Sequence, residues 1–433
     1  MVAKDRTTVS TWRVASASFA GTTVEYYDFA IYGTAAALVF PRLFFPAADP
    51  FLGTLAAFGT FAAGFLARPI GGLVFGHFGD RIGRKRMLVV TLVLMGVATT
   101  AIGLLPGYAS AGALAPALLI GLRLVQGFAF GGEWGGAVLL AYEYAPPERR
   151  GFFASLPQTG PAAGVLLGNL VFLPVAALPD AALYSWGWRV PFLVSIVLIV
   201  FGIVVRLRIA ESPEFVQVQR SGTEARVPLF EVLRHYPWKV LLVCGGFLGF
   251  GTLPIVATTF LLGYGTTIGV DRTSMITAIL LGNVVQLVVV PLSGALSDRI
   301  GARPIVLVGS VTAIAAIFLL VAAVGTGSFG VIVAGYVFGF GFLYCIGYGA
   351  QPAVYARAFD ARVRYTGMSL GFQLSNVLGS ALGPGIATIV LRVTGQPMAV
   401  AGYVGLMLLI SMACLAVLTG RTHAAAVPAT VAD

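Results

Sequence analysis

Twelve long apolar runs constrain this chain more than any other feature. They lie near residues 14–39, 53–76, 87–106, 113–141, 152–178, 188–206, 238–264, 273–296, 305–325, 329–355, 366–391 and 399–419, divided by polar or Gly/Pro punctuation. About 20 residues of α-helix cross a hydrocarbon core of ~30 Å. A spanning segment must satisfy its own backbone polar groups, so each run is expected to be a helix. Charged residues are 10% of the chain, against ~25% in soluble domains, and this excludes a soluble enzyme. The reading is an all-α membrane protein with twelve transmembrane helices. The first run follows Lys4, Arg6 and Arg13 but is too long for a signal peptide and contains Glu25 and Asp28, so it reads as a retained helix. Cys244, Cys345 and Cys414 show no ligand spacing, and His77, His235 and His423 sit at the edges of runs. No metal site and no cofactor are expected.

Lys and Arg set the expected orientation. With both termini cytoplasmic, 21 of the 27 fall on the cytoplasmic side and four, Arg42, Arg189, Arg272 and Arg392, outside. The remaining two, Arg68 and Arg123, lie within spans. Such asymmetry orients membrane proteins. It accounts for the net charge of +10 without any nucleic-acid partner.

The longest polar stretch, 207–237, divides the chain into 1–206 and 238–421, six spans each, with a short cytoplasmic tail at 422–433. The halves repeat. G-H-F-G-D-R-I-G-R-K-R at 76–86 returns as G-A-L-S-D-R-I-G-A-R-P at 294–304, and R-G-F-F-A-S-L at 150–156 as R-Y-T-G-M-S-L at 364–370. Parallel six-helix repeats imply a rocking transporter with its site near midplane, between halves.

The first of these loops resembles the signature of the major facilitator superfamily. E-Y-Y-D-F-A-I-Y-G at 25–33, A-R-P-I-G-G at 67–72, G-G-E-W-G-G at 131–136, S-W-G-W-R-V-P-F at 185–192 and R-Y-T-G-M-S-L-G-F at 364–372 narrow the resemblance. Together they look like the metabolite:proton symporters, which include shikimate, ketoglutarate, citrate and proline/betaine carriers, with 53–147 nearest the shikimate-type branch. The resemblance implies the major facilitator fold and proton-driven uptake of a small, usually carboxylated metabolite across the bacterial inner membrane. It also implies a monomer whose partners are that solute, protons and the lipid bilayer.

Ionisable groups at membrane depth are costly and point to function. Five are expected: Glu25, Asp28, Arg68, Arg123 and Glu133. Glu25 and Asp28 are three apart, so they share a helix face. Depth alone suggests Asp28 or Glu25 with Arg123, and Glu133 with Arg68. A buried carboxylate beside an arginine can titrate in the working range. Asp28 and Arg123 also resemble the proton-linked pair of related sugar symporters. Asp28 is expected to carry the proton, with Glu25 second; a static lock between the first and fourth helices is the alternative. Glu133 sits among Gly127, Gly131 and Gly135, a close-packing face. Its expected pair with Arg68 reads as packing or gating, or as substrate contact.

Tyr27, Gln126, Asn283, Gln286 and Gln373 are the expected substrate-facing set. Asp80, Arg81, Arg84, Glu143, Asp298, Arg299 and Arg357 are the expected cytoplasmic gate, with Glu143 paired to Arg84 as the resemblance implies. The second half departs from the family pattern: Arg357 holds a Glu position, Asp360-Ala361 replaces Pro-Thr, and Ala302 replaces the counterpart of Arg84. A latch rebuilt as Arg357 with Asp298 or Asp360, or simply weaker, is expected there. Ser212 reads as the N-cap of a loop helix with Pro213 at its first position.

P-Q-T-G-P-A-A-G at 157–164 partly resembles an antiporter motif, so efflux by exchange is the competing transport function. A transporter-like sensor would need a further domain, and only 12 residues follow Arg421. A membrane enzyme would need ligands or an activated nucleophile at depth.

Overall fold

The computed structural model describes residues 10–46, 50–207, 209, 211–221 and 227–424. Lys4, Arg6 and most of the 422–433 tail lie outside them. Among the described residues there are twelve long helices: α1 (Thr11–Leu38), α2 (Pro50–Ile82), α3 (Arg84–Leu104), α4 (Leu114–Tyr144), α5 (Arg150–Ala176), α6 (Arg189–Leu207), α7 (Pro237–Thr267), α8 (Arg272–Ile300), α9 (Ala302–Gly325), α10 (Phe329–Ala358), α11 (Arg364–Thr394) and α12 (Pro397–Ala424). No strand occurs among the described residues. Ten of the helices are long and apolar enough to cross a membrane. The other two, α1 and α2, carry Glu25, Asp28 and Arg68.

The repeated signature is visible as geometry. Gly83 closes the α2–α3 turn at φ 115° and Gly301 the α8–α9 turn at φ 91°. Only glycine adopts such angles without strain. These turns mark the basic end of the bundle, where the Lys/Arg-rich loops gather. At the opposite end the S-W-G-W-R motif anchors α6. Trp188 is fully buried against Phe40, Phe44 and Phe192. Arg189 donates to the Gly103 and Leu105 carbonyls at 2.8 and 2.7 Å, satisfying the C-terminus of α3.

The most extensive contacts between the halves are two symmetry-related ones, α2 with α11 and α5 with α8. Outward faces carry large apolar side chains such as Leu173 (71% exposed) and Val393 (78%), as lipid-facing helices do. Three helices of the second half contain π-helical turns: Val256–Phe260 in α7, Gly335–Leu343 in α10 and Asn376–Ala381 in α11. Among the described residues of the first half the one such turn, Leu183–Gly187, precedes α6 rather than interrupting a span.

Candidate functional site

Glu25 and Asp28 point from α1 into the first six helices, each 1% exposed. Asp28 reaches Arg123 through two intermediaries. Thr99 of α3 donates to Asp28 Oδ2 at 2.6 Å and accepts from Gln126 Nε2 at 2.6 Å. Arg123 Nη1 donates to Gln126 Oε1 at 2.9 Å. The carboxylate and the guanidinium thus share a polarised chain of three hydrogen bonds. The Arg123 guanidinium also lies 3.8 Å above the Tyr32 ring. Thr99 gave no signal in the sequence, because threonines in apolar helices routinely bond their own backbone, as Thr99 also does to Met95.

Arg68 and Arg123 are brought together by the crossing of α2 and α4. A Cβ on Gly127 would collide with the Gly64 carbonyl, and one on Gly131 with the Arg68 carbonyl. The backbones touch here, so the long side chains on either side of the crossing must share the remaining space. Arg68 lies over three rings, Phe130 at 3.6 Å, Phe65 at 4.0 Å and Phe29 at 5.1 Å. Among the described residues, neither Glu25 oxygen finds a hydrogen-bond donor.

The expected pair of Glu133 with Arg68 does not form. Glu133 is held by Arg206 of α6, which donates to both carboxylate oxygens, and by Thr91 at 3.0 Å. Arg206, read from the sequence as a cytoplasmic cation at a span end, turns inward and is 3% exposed. It also donates to the Leu88 carbonyl at 2.5 Å. Matching by depth failed because depth ignores rotation about the helix. Gly21 was the available clue: any side chain there would occupy the path of the Arg206 guanidinium.

Every hydrogen bond described between the halves lies from the depth of Gly131 toward the basic end. Gln373 Nε2 donates to the Gly131 carbonyl at 3.0 Å, and Tyr365 to that of Gly132. Trp134 stacks on Phe372 with centroids 3.7 Å apart. Two aspartates then cap helices of the opposite half. Asp80 accepts from the Tyr365 and Thr366 amides at 3.2 and 2.9 Å and from the Thr366 hydroxyl at 2.8 Å. Asp298 accepts from the Gly151 and Phe152 amides at 2.6 and 2.8 Å. A carboxylate at a helix N-terminus satisfies orphan amides and meets the positive end of the dipole.

Around Asp80 the charges continue. Arg84 pairs with Glu143, lies 3.8 Å from Asp80 and donates to the Ala361 carbonyl at 2.9 Å. Arg364 pairs with Glu143 at 2.8 Å and with Glu214, which also holds Arg150 at 2.8 Å. Ser212 caps the loop helix Pro213–Ser221 through the Phe215 amide at 3.2 Å and donates to Glu143. Among the described residues Asp298 forms no ion pair, although Arg357 and Arg149 lie near enough to act on its charge. Arg357 and Arg299 are exposed, as is Arg81. Asp360 accepts from Tyr236 instead, so the expected latch of Arg357 with Asp298 or Asp360 is absent as an ion pair.

The Major Facilitator Superfamily model matches residues 18–384. The chain belongs to that superfamily. It is 40% identical over 385 residues to the shikimate transporter of Escherichia coli K12, covering 87% of this chain and 86% of that one. It is 39% identical over 382 residues to the inner membrane metabolite transport protein YhjE of the same organism, covering 87% of each. A proline/betaine transporter of that strain is 33% identical over 425 residues, with 94% and 82% covered. Among solved structures, the proton:xylose symporter XylE shares the fold with a TM-score of 0.70, 17% identity and 96% of both chains covered. This facilitator is therefore a multi-pass membrane transporter and not an enzyme.

The expected substrate-facing set is not gathered in one place. Tyr27 is fully buried and donates to the Pro191 carbonyl at 2.8 Å, a packing contact. Asn283 donates to its own helix at Ile279, and Gln286 to Phe340 at 3.4 Å. Gln373 ties the halves together. Gln126 alone of the five lines the cavity between Arg68 and Arg123.

Proposed function

We propose that this transporter takes up a small organic acid or zwitterionic metabolite together with protons, across the inner membrane, by alternating access. The observation that carries the reading is the buried chain from Asp28 through Thr99 and Gln126 to Arg123. A guanidinium linked to a carboxylate through such a chain favours the ionised acid, and its withdrawal favours the protonated one. A rocking motion that breaks the two short bonds at Thr99 would exchange a proton at Asp28. Glu25, equally buried on the same face, is the second site.

With the Lys/Arg-rich loops cytoplasmic, the contacts between the halves form a cytoplasmic seal, and the conformation is the outward-facing one. Asp80, Arg84, Glu143 and Arg364 then act as the gate that opens for release. The relatives' names support metabolite transport, and the xylose symporter supports the fold within which such coupling works.

One pH unit is worth ~1.4 kcal/mol per proton, and 100 mV ~2.3 kcal/mol per charge. A monoanion entering with one proton is electroneutral and gains only the first, about tenfold per pH unit. A second proton on Glu25 would add the voltage.

In proteoliposomes carrying shikimate, benzoate, 2-oxoglutarate, citrate or glycine betaine, an inward proton gradient should drive accumulation of the substrate, and a protonophore should abolish it. Exchange that ignores the gradient would favour efflux by antiport instead.

A further inference from the structure

An open groove of about 470 Å³ runs between α9 and α12 on the outer face of the last six helices. Leu307, Val308 and Val311 form one wall, and Met412, Ala413 and Ala416 the other. Thr312 also lines it but turns its hydroxyl to the Gly309 and Leu343 carbonyls at 3.1 and 2.8 Å, so the lining is apolar. Both walls run in register toward the basic end. Arg303, Leu307 and Val311 are four residues apart on α9, as are Met412, Ala416 and Gly420 on antiparallel α12. Arg303 stands at that end of the groove. A Cβ on Gly420 would lie 3.2 Å from its guanidinium, so the glycine lets the cation rest against α12.

The first half shows the same position with an anion in place. The repeat matches Ala302 and Arg303 to Arg84 and Lys85. There the Glu211 carboxylate accepts from the Arg84 and Lys85 amides at 3.1 and 3.2 Å, and Lys85 Nζ donates to the Leu207 carbonyl at 2.9 Å. In the second half α9 starts with no side-chain cap, and among the described residues no oxygen pairs with Arg303. We propose that an anionic phospholipid binds here, its phosphate at Arg303 and one acyl chain in the groove between α9 and α12. The groove holds roughly 15 water-sized groups, the scale of an acyl chain rather than of a side chain. The cation at its basic end lies where the headgroup of such a lipid would be. A phosphate there supplies the negative charge that Glu211 brings to the first half. A zwitterionic headgroup adds an ammonium that Arg303 repels.

The test places a fluorescent reporter beside the groove. Val417 is lipid-facing and follows Ala416 directly, so Val417→Trp reports on what lies there. The full-length Val417→Trp protein is reconstituted in vesicles of phosphatidylglycerol and phosphatidylcholine, with brominated chains on one lipid at a time. Quenching beyond that of the parent protein measures which lipid occupies the groove. Phosphatidylglycerol should be preferred about fivefold, the value of one basic residue at a membrane surface. Adding Arg303→Gln should bring the two lipids to about parity while both still quench, because the groove remains. Arg303 is exposed, and size exclusion checks that the variant folds. Raising the salt should shrink the preference without any change at Arg303, so the proposal stays open to refutation even if that variant fails. Equal quenching by both lipids, or a preference that salt and Arg303→Gln leave intact, would overturn it. So would absence of quenching by either lipid in a protein that elutes as a dimer, which would put a second copy in the groove.

Discussion

The first six helices and the last six share one duplicated plan but have opposite interiors. All nine buried Asp, Glu and Arg side chains among the described residues lie in the first six: Glu25, Asp28, Arg68, Asp80, Arg84, Arg123, Glu133, Glu143 and Arg206. The last six bury amides, hydroxyls and tyrosines instead, and three of their helices are interrupted by π-helical turns. Such turns mark functional sites and places where a helix can change register. The contrast teaches that duplication fixed the scaffold and left chemistry free to segregate. Fixed charge, with its capacity to hold and release protons, gathered in one half. The other half kept neutral groups on helices able to adjust.

The largest effects should come from breaking the ionic half at its tightest pair. Removing one partner of a buried ion pair leaves the other uncompensated, typically at about 3–5 kcal/mol. Arg206→Ala or Glu133→Ala should therefore lower the unfolding temperature severely. Gln286→Leu, at a neutral position of the other half, should cost about 1 kcal/mol or less, as single hydrogen bonds in membrane interiors do. Comparable losses in the two halves would erase the distinction.

The two latches sharpen the comparison at the basic end. Arg84 and Glu143 are fully enclosed and joined across the halves by Arg364. Glu143→Gln should shift the population toward the inward-open state, read as increased labelling of a cysteine placed near Gln373 from the cytoplasmic side. Arg357→Glu, at the stripped latch, should change the state distribution by no more than an exposed pair is worth, ~0–1 kcal/mol. A larger effect of Arg357→Glu than of Glu143→Gln would reverse the assignment.

The smallest effect concerns Glu214, which joins Arg364 to Arg150 outside the membrane-spanning segments. Burial pushes its carboxyl up, but Arg364, Arg150 and Arg84 more than offset this and hold it below the ordinary value of 4.5. A lowered folded-state value adds stability that is present above pH 4.5 and is lost as the pH falls through the lowered value. Unfolding temperatures of the parent protein and Glu214→Gln should therefore differ at neutral pH and converge only in strong acid. A gap independent of pH would remove the charge from the explanation.

Much of the fold is legible in the residues because its signals are local. Run length placed all twelve helices to within a few residues, and the D-R-I-G repeat located both tight turns. The pairing inside the bundle is not local. Arg206 belongs by position to a span end, where arginines usually reach for water; here the glycine at 21 lets it reach Glu133 instead. Thr91 and Thr99 carry no mark separating a hydroxyl that serves a carboxylate from one that serves its own helix. The neutral candidates Asn283, Gln286 and Gln373 were visible as polar residues in apolar runs, but their partners depend on helix rotation and on which half they face. Arg364 stood in the repeat motif, yet its ion pairs come from two distant segments.

The central claim is that Asp28 carries the transported proton. Its most direct test compares parent and Asp28→Asn proteoliposomes in two assays on the same preparation. Counterflow of the substrate, which needs no net proton movement, should persist in Asp28→Asn, while accumulation driven by an imposed proton gradient should disappear. Accumulation at the parental level in Asp28→Asn would contradict the account.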